Sequence, residues 1–173
     1  EVDLKSCQAS IISSSNYSKI TVDSKITYLN QKRFAIAHEL GHYMLHRRSN
    51  HYFSDNEKSF YKYHQTGNQE SEANEFAAEF LMPNSRFTEY TSNKGFHLDL
   101  IKETADYFET SVTSTSIKYS QNGHEPIAVI FTQDGKIKWS SINNSFPLSF
   151  IRNSLDVPEY SCVKEYYRSR TQN

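Results

Sequence analysis

The chain has no apolar run approaching the length of a membrane span, so it predicts no transmembrane segment. It also lacks a charge excess. Nineteen basic against twenty acidic side chains leave a formal charge of −1, so no global field draws it to nucleic acid or to a membrane surface. Cysteine is nearly absent: Cys7 and Cys162 lie near opposite ends. Two thiols so placed form neither a metal-type spacing nor a disulfide framework, which fits a reducing compartment. Neither has a neighbouring His in sequence, so neither is expected to act as a nucleophile. Glycine is scarce at five residues, and no internal repeat or low-complexity tract divides the chain. The first residue is Glu1 rather than Met, so the lack of a leader says little about the compartment.

What is present is the composition of a folded globular protein. Hydrophobic residues make up 36% and charged residues 23%, and aromatics reach 14%, with twelve Tyr and eleven Phe. A length of 173 residues suits one domain with a real core. Residues 1–18 have little pattern. Lys19 to Asp23 alternates like a half-buried or edge strand, and residues 30–46 read as a helix. Residues 47–68 are polar and broken, as a loop is, and residues 69–82 form a second helix stopped near Pro83. Leu98, Ile101, Ala105 and Phe108 have helical spacing, and a short helix follows Ser111. Residues 126–131 and 136–139 flank Asp134-Gly135, a hairpin signal, and another strand is expected near Tyr160–Tyr167. Helices first and a hairpin later predict an α+β fold.

The chemistry concentrates in AIAHELGH, residues 35–42. On a helix, residues four apart share a face, so His38 and His42 project together. Phe34, Ala37, Leu40, Gly41, Met44 and Leu45 cover most of the remaining circumference, which predicts a largely buried helix. Two buried imidazoles and a carboxylate are costly unless something binds them. A zinc ion would, with Glu39 beside it as a non-ligating base for a bound water. The competing reading is a pair of helix histidines satisfied by core hydrogen bonds.

A third ligand decides between the two. One known arrangement needs a Gly and a further His beyond the second His, but those positions hold Leu45 and Arg48. His46 follows one turn after His42, and its direction has drifted away from His38, so it is the weaker candidate. The better one lies on the second helix, whose apolar stripe is Ala73, Phe76, Ala77, Phe80 and Leu81. Glu70 falls on that inward side, while Glu72, Glu75 and Glu79 fall opposite, towards solvent. Glu70 alternatively serves as a first-turn acid at the helix dipole. Asn74 shares its side and suits a hydrogen bond to the free nitrogen of a ligating His, or is an ordinary polar helix residue.

RFAIAHELGHYMLH at residues 33–46 and ESEANEFAAEFLMP at residues 70–83 together resemble the ImmA/IrrE family of zinc metallopeptidases. The resemblance is strong over these blocks and looser from about residue 19 to the hairpin and beyond. It implies a zincin-like core with two motif helices and a small antiparallel sheet. It implies a single domain over 1–173, with a catalytic core at about 19–120 and a C-terminal hairpin and tail at 121–173. It implies Zn²⁺, or another divalent ion, on His38, His42 and Glu70, with Glu39 as the catalytic base. The family's Glu-x-x-Ala-Asn pattern falls on Glu70, Ala73 and Asn74. It further implies a cytoplasmic protease of bacterial or phage origin whose substrate is a helix-turn-helix repressor, so that cleavage derepresses stress-response or mobile-element genes.

Two other functions compete with this one. One is a metal-bound but catalytically idle module that regulates a partner by binding it, against which the intact Glu39 argues. The other is DNA binding by the helix-break-helix rhythm of residues 105–119. Its second helix offers mainly Lys118 as a phosphate contact, so no direct nucleic-acid partner is expected. The strand at Ile20–Val22 is a candidate for receiving an extended substrate by strand addition, or is a plain edge strand. His124 and several Tyr are candidates for the oxyanion donor.

Overall fold

The computed structural model describes residues 1–4, 7–14, 16–46, 67–123 and 125–171. The elements in chain order are β1 (Ala9–Ser13), β2 (Ser18–Val22), α1 (Leu29–His46), α2 (Gly67–Leu81), α3 (Asn84–Thr91), α4 (Leu98–Phe108), α5 (Val112–Asn122), β3 (Ala128–Gln133), β4 (Lys136–Ile142) and α6 (Cys162–Thr171). The strands form two antiparallel hairpins, β1–β2 and β3–β4. The fold is α+β, as the sequence predicts. The loop expected over 47–68 lies mostly outside the described residues, although Gly67 and Asn68 already belong to α2.

Two hydrophobic clusters organise the interior. Met82, Phe87, Leu100, Ile101, Phe108 and Tyr119 form the larger one and join α3, α4 and α5 to the end of α2. Ala9, Val22, Ile26 and Ala35 form the smaller one, where the β1–β2 hairpin lies on α1. The two are tied by the first half of α1. Arg33 Nη1 donates to the carbonyls of Phe108 (3.3 Å) and Glu109 (3.1 Å) and pairs with the Glu109 carboxylate. Those carbonyls belong to the C-terminal end of α4, where Glu109 takes a left-handed conformation at φ 52°. A guanidinium satisfies the orphan acceptors of a helix end.

α1 and α2 meet through very small residues. Ala73 and Ala77 are completely buried. A Cβ added to Gly41 would stand 3.1 Å from the Cα and O of Ala73 and 3.1 Å from Phe76 Cδ1. Glycine at 41 is therefore what lets the two helix backbones approach this closely. The rest of α1 corrects the expectation of a largely buried helix, since Met44 is 54% and Leu45 47% exposed. α2 and the hairpin each cover one flank, and these two side chains face neither. Phe80, placed in the inward stripe of α2 by spacing, also stays exposed and stacks on Phe76 at 5.9 Å between ring centroids.

Three elements depart from the sequence reading. β1 lies in a region without pattern. Its two isoleucines are adjacent rather than alternating, and pairing with β2 makes it a strand, closed by a 2.6 Å Ser13–Ser18 hydroxyl contact. α3 starts directly after Pro83, whose fixed φ of −55° ends α2 and also suits the start of a new helix. The tail strand expected near 160–167 is helix α6. Ser161 Oγ accepts from Lys164 N at 3.2 Å at its start, and Arg168 and Arg170 sit in its last turn. The Asp134-Gly135 turn is as expected: both residues have positive φ, at 53° and 72°, and join β3 to β4 in a two-residue hairpin.

Candidate metal centre

α1 presents His38 and His42 one turn apart, and the close approach at Gly41 brings the first turn of α2 opposite them. Glu70 is in that turn. Its Oε2 lies 3.3 Å from His38 Nε2 and its Oε1 3.2 Å from His42 Nε2, and the two Nε2 atoms are 3.0 Å apart. Among the described residues this is the one group of three His, Cys, Asp or Glu side chains whose ligand atoms all converge within 4.8 Å. A tetrahedral ion with bonds of about 2.0–2.1 Å spaces its donors about 3.3–3.4 Å apart. Two imidazoles and one carboxylate at these separations therefore fit a divalent metal in donor type and in spacing.

The surroundings complete the arrangement. His42 is fully buried, and Glu39, the next residue after His38, is 4% exposed. His38 Nδ1 lies 3.0 Å from Asn74 Oδ1, so with Nε2 as the ligand atom Nδ1 donates to the amide oxygen. Asn74, read on the sequence as a hydrogen-bond partner for the free nitrogen of a ligating His or as an ordinary polar helix residue, makes that contact with His38. Among the described residues no buried side-chain N or O lacks a hydrogen-bond partner.

Glu72 departs from the sequence reading, and its partner is His46. Glu72 was expected simply to face solvent. It is half-exposed, but its Oε2 lies 2.8 Å from His46 Nε2. His46 is itself 3% exposed and stands with Nδ1 3.1 Å from His42 Nδ1. His46 therefore does not join the converging group and packs behind His42. Its spacing, one turn beyond His42, was the available signal.

A cleft of about 210 Å³ opens over His38, Glu39 and Asn74, and its other wall is Cys7, Gln8 and Ala9. A second cleft, of about 510 Å³, is lined by Ile11, Tyr17 and Ile20 of the hairpin and by Leu40 and Tyr43 of α1. The strand along the first cleft is β1, not the β2 segment that the sequence offered as a candidate for strand addition. β2 is already paired beyond β1: Val2 N donates to Val22 O at 3.1 Å and Ser24 N to Val2 O at 3.0 Å. Asp23 N donates to Gln8 O, so Gln8 faces β2, and by strand alternation Ala9 and Ile11 turn their backbone groups to the outer edge. Cys7 lies outside both motif helices, as read from the sequence, yet the fold brings it to this cleft. His124 lies outside the described residues.

The DNA-binding reading loses its cation. Lys118 is 6% exposed and its Nζ lies 2.6 Å from Glu79 Oε2. Burial pushes the Glu79 carboxyl up, but the Asn84 N–H and the Lys118 ammonium outweigh it and hold the group below its ordinary value.

A histidine pair and a facing glutamate shared by two closely packed helices, on an α+β core, is the arrangement of a zincin-like metallopeptidase. The family model described as IrrE N-terminal-like domain, Peptidase_M78, matches residues 20–120. That is more than half of the chain, and the protein belongs to this family of metallopeptidases. The match covers β2 through α5, including both motif helices. A search of curated proteins gives no match. No helix among the described residues is long and apolar enough to cross a membrane.

Proposed function

We propose that the protein is a zinc-dependent endopeptidase in which His38, His42 and Glu70 hold the ion and Glu39 is the general base. The observation that carries this reading is the convergence of the three donors, one of which, His38, lines a cleft together with the buried Glu39. When bound, the ion supplies a water of lowered pKa and polarises the scissile carbonyl. Glu39, buried next to His38, would act as the base that takes a proton from the attacking water and passes it to the leaving amine. Asn74 holds His38 with its Nε2 towards the ion. An extended substrate segment lies along the outer edge of β1, where Ala9 and Ile11 offer backbone groups to it.

Family membership and the two motif blocks support an intracellular bacterial or phage role, with a helix-turn-helix repressor as substrate and derepression of stress-response or mobile-element genes as the outcome. Residues 1–173 act as one domain in this reading. The test is cleavage of a candidate repressor by the zinc-loaded protein, with a chelator control and Glu39→Gln. The Gln variant should keep metal and fold and lose about 10²- to 10⁴-fold in rate or more. Wild-type rates from Glu39→Gln would remove Glu39 from its role. Repressor binding without cleavage by the wild type would instead make the protein a regulatory binding module.

A further inference from the structure

We propose that Glu72 and His46 are positioning residues that fix His42 in the one tautomer able to ligate a metal. The inference rests on the assignment of His42 as a ligand and adds how this chain prepares it. A carboxylate accepts and does not donate, so in the 2.8 Å contact with Glu72 Oε2 the hydrogen sits on His46 Nε2. A neutral imidazole carries one hydrogen, which leaves His46 Nδ1 as an acceptor. The 3.1 Å contact between His46 Nδ1 and His42 Nδ1 then requires His42 Nδ1 to donate. His42 Nε2 is left with a lone pair, and it is the atom 3.2 Å from Glu70 and 3.0 Å from His38 Nε2.

Burial makes the chain of contacts matter. His42 is fully buried and His46 is 3% exposed, so bulk water does not compete for either ring. Glu72 is the half-exposed end, where a carboxylate keeps its charge without a large desolvation cost. His38 is held differently, by the single amide oxygen of Asn74. The two ligand histidines are thus oriented by different devices, one neutral and direct, the other anionic and relayed through a second imidazole. Partners of this kind raise ligand basicity as well as fixing the ring.

The test uses the full chain labelled with ¹⁵N in its histidines. Long-range ¹H–¹⁵N spectra of the metal-free protein at about pH 8, above the ordinary range for free imidazole, should show a hydrogen on His46 Nε2. Zinc affinity is measured in parallel against a competing chelator. Glu72→Ala, at a half-exposed site that should not compromise folding, is expected to lower zinc affinity by about 10- to 100-fold and to abolish the single-tautomer signature of His46. Glu72→Gln retains an acceptor oxygen and should recover most of both. A purely structural Glu72 would instead affect melting temperature with neither readout moved. Wild-type zinc affinity in Glu72→Ala, or His46 protonated at Nδ1 in the parent protein, overturns the proposal. A parent protein that takes up no zinc overturns the ligand assignment itself, a result separate from a loaded protein whose variants bind equally well.

Discussion

The α1–α2 pair and the α3–α5 cluster are held together by opposite means. Between α1 and α2 the closest approach is Gly41 against Ala73 and the ring of Phe76, and the groups that cluster beside it are polar: three histidines, Glu39, Glu70 and Asn74. In the other region Phe87, Leu100 and Phe108 are buried with Met82, Ile101 and Tyr119, and the rings of Phe87 and Phe108 stack at 5.9 Å. A large apolar side chain contributes about 1.5–3 kcal/mol when fully buried, whereas alanine and glycine have little area to remove from water. The difference separates two tasks. Stability comes mainly from the cluster that carries no chemistry, and this allows the helix pair to keep buried polar groups that stabilise little.

Exchanging damage between the regions should break the comparison most strongly. Phe87→Ala is expected to lower unfolding stability by about 3–5 kcal/mol. The fraction that remains folded should bind zinc with parent affinity. Glu70→Ala should do the reverse, leaving the protein metal-poor by elemental analysis while the metal-free form melts close to the parent. Zinc loss in folded Phe87→Ala would show that the two regions are not separable.

Gly41→Ala sharpens the same contrast with a smaller effect. Alanine gains about 0.8–1 kcal/mol of helix propensity over glycine, against about 1–3 kcal/mol for overpacking. The new methyl meets backbone atoms of Ala73, which yield only if α2 moves as a whole. Denaturant unfolding should therefore change by about 1 kcal/mol, while zinc affinity falls clearly because Glu70 travels with α2. Unchanged affinity would mean that the spacing at Gly41 does not set the donor geometry.

The smallest effect belongs to the ion pair of Lys118 with Glu79. The Glu79 carboxyl titrates below its ordinary value in the folded chain, so its contribution is present above that value and is lost as pH falls through the lowered one. Lys118→Met should cost no more than about 1 kcal/mol at neutral pH, because Glu79 is half-exposed. Urea unfolding at pH 7 and again at about pH 3 should show the gap between variant and parent closing in acid. A gap that stays the same in acid would assign the effect to packing of the lysine stem instead.

Much of this was readable beforehand where period and punctuation agree. α4 matches the expected Leu98–Phe108, α1 begins one residue before the predicted start, and Asp134-Gly135 marks the β3–β4 turn. The convergence of His38, His42 and Glu70 follows from two helical phases read separately, each with its own apolar stripe. What escaped depends on contacts between elements. β1 is a strand because β2 pairs with it, and its own residues do not alternate. A strand was expected near Tyr160–Tyr167, yet most of that stretch lies in α6, which has a serine at its start and arginines in its last turn. Glu72 was judged by its place opposite the apolar stripe of its own helix. Its relation to His46 could not be seen without knowing where the last turn of α1 passes α2.

The three converging donors do not stand on equal footing. His38 and His42 project from the interior of an eighteen-residue helix, whereas Glu70 stands in the first turn of α2, which begins at Gly67. Helix ends are where local opening costs least. Any ion gripped by all three side chains must close that opening turn, so occupancy and the order of one helix start form a single coupled equilibrium. The apparent affinity is then the intrinsic one scaled by the fraction of molecules in which the turn is already formed. A carboxylate on a terminal turn would thus tie the apparent affinity for an ion to the order of the first turn of α2.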